Sequence, residues 1–227
     1  MNLAIGCPIY NREWSLPRWF QSLFNQKINL KKTDLVFAYT EGNDNTKDII
    51  EKYGSKFNSL IILDCNDVKA FGNRDSERYY SLVILRNRIF DTLRELQPDY
   101  YFSYDSDILL PDETLKALIK EKKDIIGPWV DLVPPGGIPN CVTLMPNGGG
   151  FRRRKPYDKF YPKNAGVYEV STVFAVSLIS NKVFNSCYYK WHSGGEDYGF
   201  AEEVINAGFK SYMHSDFIGD HLYKKDI

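Results

Sequence analysis

The feature that most constrains this chain is an alternation in its first 130 residues. Short apolar runs of strand length take turns with segments patterned at helical spacing. The runs are Leu3–Pro8, Asp34–Tyr39, Ser59–Asp64, Asp99–Tyr104 and Asp124–Trp129. Between them, residues 15–27 set Leu16, Trp19, Phe20, Leu23 and Phe24 on one helical face, and 46–53 forms a short helix that Asn45 or Thr46 would cap. Ser76–Leu96 is a longer helix with Tyr80, Val83, Ile84, Ile89 and Leu93 as its expected buried positions, and Asp112–Glu121 is a further one. Pro98 ends the long helix, because proline has no N–H to give the preceding turn. Strands linked through helices pair in parallel, so the alternation predicts an α/β fold: a mainly parallel sheet flanked by helices.

Open sheets of this kind bind ligands at the carboxyl ends of their strands. Three polar clusters stand at such ends: Tyr10–Glu13 (YNRE) after the first strand, TEGND after the second and YDSD after the fourth. The topology turns them toward one crevice although they are far apart in the chain.

The second half reads differently. Residues 131–166 are rich in Pro and Gly, with no sustained periodicity, and a stretch of that length is a functional loop more often than a linker. Regular structure resumes with a strand at Val170–Leu178, a helix over 196–207 that Gly208 would close as its C′ residue, and a last strand at Phe209–Met213.

Composition excludes several classes. The 227 residues carry 29 Lys+Arg against 29 Asp+Glu, so the broad positive field of a general nucleic-acid binder is absent. No run of eighteen apolar residues occurs, and the N-terminus shows neither a basic leader nor an apolar signal core, so neither a membrane span nor secretion is expected. Cys7, Cys65, Cys141 and Cys187 form no CxxC pair. Zinc-ribbon and thioredoxin readings fail on that spacing, and reduced thiols in a cytoplasmic protein are the expectation.

Three local patterns carry chemistry. In Asp105-Ser106-Asp107, positions i and i+2 of an extended chain project to one side, so two carboxylates can share a divalent cation with a diphosphate. Hard oxygen ligands suit Mg²⁺ or Mn²⁺. A lone DxD is more often a solvated turn, but here apolar residues flank it on both sides, and adjacent acids near a core repel unless a cation joins them. Gly194-Gly195-Glu196-Asp197 enters a helix with two acids in its first turn, where the helix dipole favours the ionised carboxylate that a general base requires. Ordinary acidic capping gives the same pattern. His221 is a third candidate as a cation ligand, with His214 and His192 as competitors that spacing does not separate.

Taken in order, these segments resemble the GT-A fold glycosyltransferases, close to the large family 2 group. IGCPIYNRE resembles that family's opening strand and nucleotide loop, AYTEGNDNT its second-strand acidic turn, LRNRIF its helix with a basic residue and Asn, DSD its metal-binding motif, STVFAVSLISNKVF the strand before the acceptor site, and GEDYGFAEEVINAGFKSYMHSD its ED helix and following strand. The resemblance covers most of the chain. It implies a single GT-A (Rossmann-like) domain over 1–227, with a nucleotide-sugar-binding half over 1–130 and a loop-rich acceptor-binding half over 131–227. Pro8, Tyr10, Asn11 and Arg12 would line the nucleoside, Glu41 would accept a hydrogen bond from the base, and Arg86 would lie near the diphosphate or base. Asp105, with Ser106 beside it, would contact ribose or metal. Asp107 and His221 would bind the Mn²⁺ or Mg²⁺, and Asp197 would be the catalytic base with Glu196 as neighbour or substitute.

The implied reaction moves a sugar from a UDP- or GDP-linked donor to an acceptor hydroxyl, on a carbohydrate or another acceptor, with inversion. The 134–166 loop would be a lid, with Tyr157, Phe160 and Tyr161 stacking on sugars and Arg152-Arg153-Arg154-Lys155 meeting phosphate. Trp129, Trp191, Tyr188 and Tyr189 suit either core or sugar platform. A nucleotidyltransferase would need a glycine-rich phosphate loop that GCPIYNRE lacks. A non-catalytic carbohydrate- or nucleotide-binding module needs no base, and a transferase acting on nucleic-acid bases is disfavoured by the zero net charge.

Overall fold

The computed structural model describes residues 1–68, 76–132, 140–144, 151–153 and 166–223. Its first half follows the predicted alternation. Strand β1 (Leu3–Gly6) and the short β2 (Pro8–Ile9) lead to α1 (Leu16–Phe24), then β3 (Thr33–Tyr39), α2 (Thr46–Gly54) and β4 (Ser59–Asp64). Helix α3 (Ser76–Leu96), β5 (Tyr100–Tyr104), β6 (Ile108–Leu109), α4 (Thr114–Lys120) and β7 (Ile125–Asp131) complete it. The second half contributes β8 (Cys141–Leu144), β9 (Phe151–Arg153), β10 (Val167–Val170), β11 (Thr172–Val173), β12 (Val176–Ser180), α5 (Asn181–Ser186), α6 (Glu196–Asn206) and β13 (Ser211–His221).

The central sheet runs β10-β13-β7-β12-β5-β1-β3-β2, with β4 on β3 and β6 on β13. β1, β2, β3, β4 and β5 pair in parallel, as expected of strands joined by helices. Beyond β5 the pattern changes. β12 inserts antiparallel between β5 and β7, and β13 then pairs parallel to β7. The strand expected over Val170–Leu178 is split among β10, β11 and β12, and Ala175, with φ +64°, turns the chain between β11 and β12. The final strand, expected at Phe209–Met213, continues to His221. A small second sheet, β11-β8-β9, takes two strands from the Pro/Gly-rich region and β11 from beyond it.

Helices cover both faces. Leu16, Trp19, Phe20 and Leu23 of α1, Ile50 of α2, and Leu115 and Leu118 of α4 pack with Ile5, Phe37 and Phe102 on one face. Leu85, Ile89, Phe90 and Leu93 of α3, Phe184 of α5, and Phe200 and Val204 of α6 pack with Ala4, Val36 and Tyr101 on the other. Tyr80, expected to be buried, is 58% exposed, whereas Val83, Ile89 and Leu93 are buried. Asn45 precedes α2, but its side chain makes no capping bond to the helix and instead donates from Nδ2 to Glu13 Oε1 at 2.9 Å. Gly208, at φ +81°, follows the C-terminal end of α6 as predicted.

Polar residues inside the core brace the segment after β5. Ser22 Oγ accepts from the Leu110 N–H at 2.9 Å, and Gln26, fully buried, accepts from the Leu115 N–H at 2.9 Å. Burial without such partners would be costly. Their effect is to hold residues 108–115 against α1, which fixes where the acidic turn Asp105–Asp107 lies.

Candidate active site

Pro8, Tyr10, Arg12, Arg86, Asp105, Ser106, Asp107, Glu196, Asp197 and His221 line one cavity of about 490 Å³ at the carboxyl ends of the strands. Ten of the predicted site residues therefore converge, from five stretches of chain. Trp14, Tyr79, Phe174, Ala175, Tyr198 and Tyr223 complete much of the wall and were not anticipated as site residues.

Two predicted residues lie elsewhere. Asn11, at φ +49°, faces the second loop: its Nδ2 donates to Asn43 Oδ1 at 2.8 Å and its Oδ1 accepts from the Asn43 N–H at 3.0 Å. It holds two loops together and does not line the cavity. The same staple continues with the Arg12 N–H to Thr46 Oγ1 at 2.6 Å and the Glu13 N–H to Asp44 Oδ2 at 3.0 Å. Glu41 lines a separate depression with Tyr39, Lys47 and Asp64, and its N–H donates to Asn66 Oδ1 at 2.6 Å.

The acidic turn is held from both sides. The Asp105 N–H donates to Ala175 O at 2.9 Å, which ties the turn to a residue in left-handed conformation. Strain of this kind survives where the surroundings over-determine it. Fully buried Asn140 supplies that constraint, accepting from the Val130 N–H at 2.9 Å and donating to Phe174 O at 2.9 Å. Arg12 reaches Asp107 Oδ2 at 3.3 Å and lies 5.6 Å over the Trp14 ring.

His221 arrives through strand register: β13 pairs antiparallel with β6, which sets His221 opposite Ile108, one residue beyond Asp107. Its Nε2 faces Asp107 Oδ1 at 3.9 Å and its Nδ1 lies 3.0 Å from the Tyr223 hydroxyl. That hydroxyl donates its proton to Leu132 O, so it accepts from Nδ1–H. In the neutral ring Nε2 is then a bare lone pair turned toward a carboxylate. His214 is buried on the same strand against Phe217 and does not line the cavity.

This pair of donors fits a hard divalent ion. Ligands each about 2.1 Å from such an ion stand at most about 4.2 Å apart, and 3.9 Å is within that reach. Among the described residues no group of three His, Cys, Asp or Glu side chains is already gathered for a metal. Asp105 turns toward Arg86 instead, at 3.3 Å. A site with two protein ligands leaves positions for phosphate oxygens and water, as Mg²⁺-type sites do.

Across the cavity, α6 opens with Gly195 at φ +124°, a conformation that favours glycine, and its first turn carries Glu196 and Asp197. Glu196 is 6% exposed and accepts from Arg86 Nε–H at 3.3 Å. Burial, the neighbouring Glu196 and Asp105 push the Asp197 carboxyl well above the ordinary carboxylate range, against the opposing effect of Arg86. Asp105 is also raised, by burial and by Asp107 and Glu196, with Arg86 again opposing. For Arg86, burial works against the charge, but Asp105, Tyr189, Asp197 and Glu196 outweigh it and hold the guanidinium protonated.

The aromatic candidates separate. Tyr189 is buried and stacks on Phe200 at 4.3 Å. Trp129 packs partly buried against the cluster around Cys141 and Met213. Trp191 is 52% exposed, and Tyr188 lies under the Arg94 guanidinium at 3.8 Å. None of the four lines the cavity. The lid reading of 134–166 falls largely outside the described residues, which include neither Arg154, Lys155, Tyr157, Phe160 nor Tyr161.

Residues 4–210 match the family described as "Glycosyltransferase family 25, N-terminal domain". Over 207 residues the chain is 24% identical to procollagen galactosyltransferase 1-A of Xenopus laevis, covering 86% of this chain and 34% of that protein. Over 121 residues it is 29% identical to procollagen-lysine,2-oxoglutarate 5-dioxygenase 1 of Gallus gallus, covering 51% of this chain and 17% of that protein. The chain thus spans about a third or less of the length of these relatives. Among solved structures, S. aureus TarS 1–349 in complex with UDP-GlcNAc superposes with a TM-score of 0.61 at 18% identity, covering 98% of this chain and 59% of that one. GalNAc-T7 with UDP, GalNAc and Mn²⁺ superposes at 0.67 with 14% identity, covering 98% and 43%. The fold shared with them is GT-A.

Proposed function

The chain belongs to the glycosyltransferase family 25 N-terminal domain family, and on that footing we propose that it transfers a sugar from a uridine-diphosphate donor to an acceptor hydroxyl, with a divalent cation and with inversion. The observation that carries the reading is the convergence of Asp105, Asp107 and His221 with Glu196 and Asp197 around one cavity. A transferase needs both sets: one to manage a leaving diphosphate, the other to take a proton. The choice of uridine over guanosine is supported by the UDP and UDP-GlcNAc bound to the structural neighbours.

In this reading Pro8, Tyr10 and Arg12 hold the nucleoside end of the donor. Asp107 and His221 hold a Mn²⁺ or Mg²⁺, which when bound supplies positive charge to the leaving diphosphate. Arg12, which pairs with Asp107, also stands within the donor end and balances phosphate charge there. In its ionised form, whose share grows with pH because burial and Glu196 raise the carboxyl, Asp197 takes the proton of the acceptor hydroxyl as that oxygen attacks the anomeric carbon; the glycosidic bond to the acceptor forms while the bond to the diphosphate breaks. Attack from the side opposite the leaving group inverts the configuration. The donor half is 1–130 and the acceptor half 131–227. The four cysteines are buried free thiols, which fits a reducing compartment such as the cytoplasm. No helix among the described residues is long and apolar enough to cross a membrane.

The test is a thermal-shift screen of UDP-, GDP- and other nucleotide sugars with and without Mn²⁺. Stabilisation by uridine nucleotides that requires the cation, with release of UDP from the same donor, is the expected result. A chain that no nucleotide stabilises overturns the reading.

A further inference from the structure

Arg86 is expected beside the diphosphate or base, and it does border the cavity, but protein groups take up nearly all of its side chain. Its side chain is 7% exposed. Nε–H donates to Glu196 Oε1 at 3.3 Å, Nη2 to Asp105 Oδ1 at 3.3 Å and Nη1 to Ser103 Oγ at 3.2 Å. The Tyr189 ring lies 5.5 Å from Cζ, and Asn87, one residue on, clamps the Tyr189 backbone by accepting its N–H at 2.8 Å and donating to its carbonyl at 2.9 Å. The two carboxylates have different origins. Asp105 begins the acidic turn after β5 on the donor side, and Glu196 begins α6 beside Asp197 on the opposite side.

We propose that Arg86 is a positioning residue that joins the donor-side acidic turn to the first turn of α6, and so sets where Asp197 stands relative to the bound donor. A guanidinium is planar, and its N–H groups leave in fixed directions, so two carboxylates bonded to it are held at a defined separation and angle. An ammonium is a point charge and imposes no such geometry. Ser103 is 4% exposed and lies outside the cavity wall, so its bond to Nη1 orients the fork from behind. Arg86 acts through Asp105 and Glu196, and donor binding is left to the Pro8–Arg12 loop, Asp107 and His221.

This inference rests on the transferase reading, and the experiment separates the two. In Arg86→Lys, UDP affinity in Mn²⁺ is measured by calorimetry, and kcat and KM are measured for turnover of whichever UDP-sugar the screen selects. The expected result is a UDP Kd within about threefold of wild type and a kcat lower by about a hundredfold, because misplacement of reacting groups by about 1 Å costs that much. A Kd weakened tenfold or more with kcat intact makes Arg86 a donor-binding residue and overturns the inference, as does a variant with wild-type kcat and Kd. If Arg86→Lys does not fold, Ser103→Ala decides: the Ser103 Oγ accepts from Arg86 Nη1 and lies outside the cavity wall, so a lower kcat at constant Kd supports the inference and an unchanged kcat overturns it. A wild-type chain that neither binds UDP nor turns over any UDP-sugar removes the transferase reading and this inference with it.

Discussion

His221 Nε2 faces Asp107 Oδ1 across 3.9 Å while the other nitrogen of the same ring is held by the Tyr223 hydroxyl. The Tyr223 contact chooses the tautomer, and the tautomer makes Nε2 an acceptor. Tyr223→Phe leaves the packing of the ring but removes the partner of Nδ1–H. The expected outcome is a loss of about 10–100-fold in apparent Mn²⁺ affinity with little change in melting temperature, read from cation titrations of UDP binding.

Asp107 is the carboxylate that faces His221, the pair proposed to share a cation, and Arg12 is its ion-pair partner at 3.3 Å. Asp107→Asn keeps the shape and discharges the group. At a hundredfold excess of nucleotide over Kd, binding adds about 2.7 kcal/mol, or roughly 5–10 °C in a domain of this size. The variant is expected to lose the Mn²⁺-dependent part of that shift. Persistence of the full shift in differential scanning fluorimetry would count against Asp107 as a ligand.

Asp197 couples activity and stability in opposite senses. Its folded carboxyl is raised by burial and by Glu196, whereas the unfolded chain releases that proton near pH 4. Above about pH 4 and up to the raised value, the folded protein holds a proton that the unfolded chain has lost, so stability falls as pH rises through that window. Asp105, also raised, adds in the same direction. Asp197→Asn is expected to flatten this slope and melt higher than wild type at pH 7. The same change should lower transfer at least about a hundredfold while sparing UDP binding, since a general base contributes that much or more. Melting curves across pH, together with turnover at pH 7, check both halves.

Gly199 lies on the inner face of α6. A Cβ there would stand 2.0 Å from Lys190 O, a backbone atom that cannot swing aside. Gly199→Ala should therefore displace the helix that carries Glu196 and Asp197. Overpacking of this kind costs about 1–3 kcal/mol, and the expected outcome is a lower melting temperature with an even larger fractional loss of turnover. Wild-type values for both would show that α6 is not seated as described.

Much of the site was legible from local pattern. The strand before Asp105-Ser106-Asp107 is apolar because both of its faces are buried, and the helix after Gly195 opens on acids because its dipole favours them. These signals are local, so they survive in one dimension. Asn11 was misplaced because an Asn in a loop carries no mark of which loop it faces; here it faces Asn43. Tyr80 was misplaced because helical spacing gives a face its period but not its width. Ala175 and Asn140 left no signal: left-handed alanine and a buried amide hub depend on residues that arrive from elsewhere.

By itself the amino-acid order determined the alternation of elements, the helices on both faces, the convergence of polar turns at the strand ends and the identity of the acidic motifs, because periodicity and helix-end chemistry act between near neighbours. Tertiary structure alone decided which histidine joins the acids, since the β13–β6 register brings His221 and not His214 beside Asp107. It also decided that Arg86 turns inward to bridge Asp105 and Glu196, and that β12 enters the sheet antiparallel. Strand register and a buried ion pair are relations between distant segments. Their free energy exists only once both segments are in place.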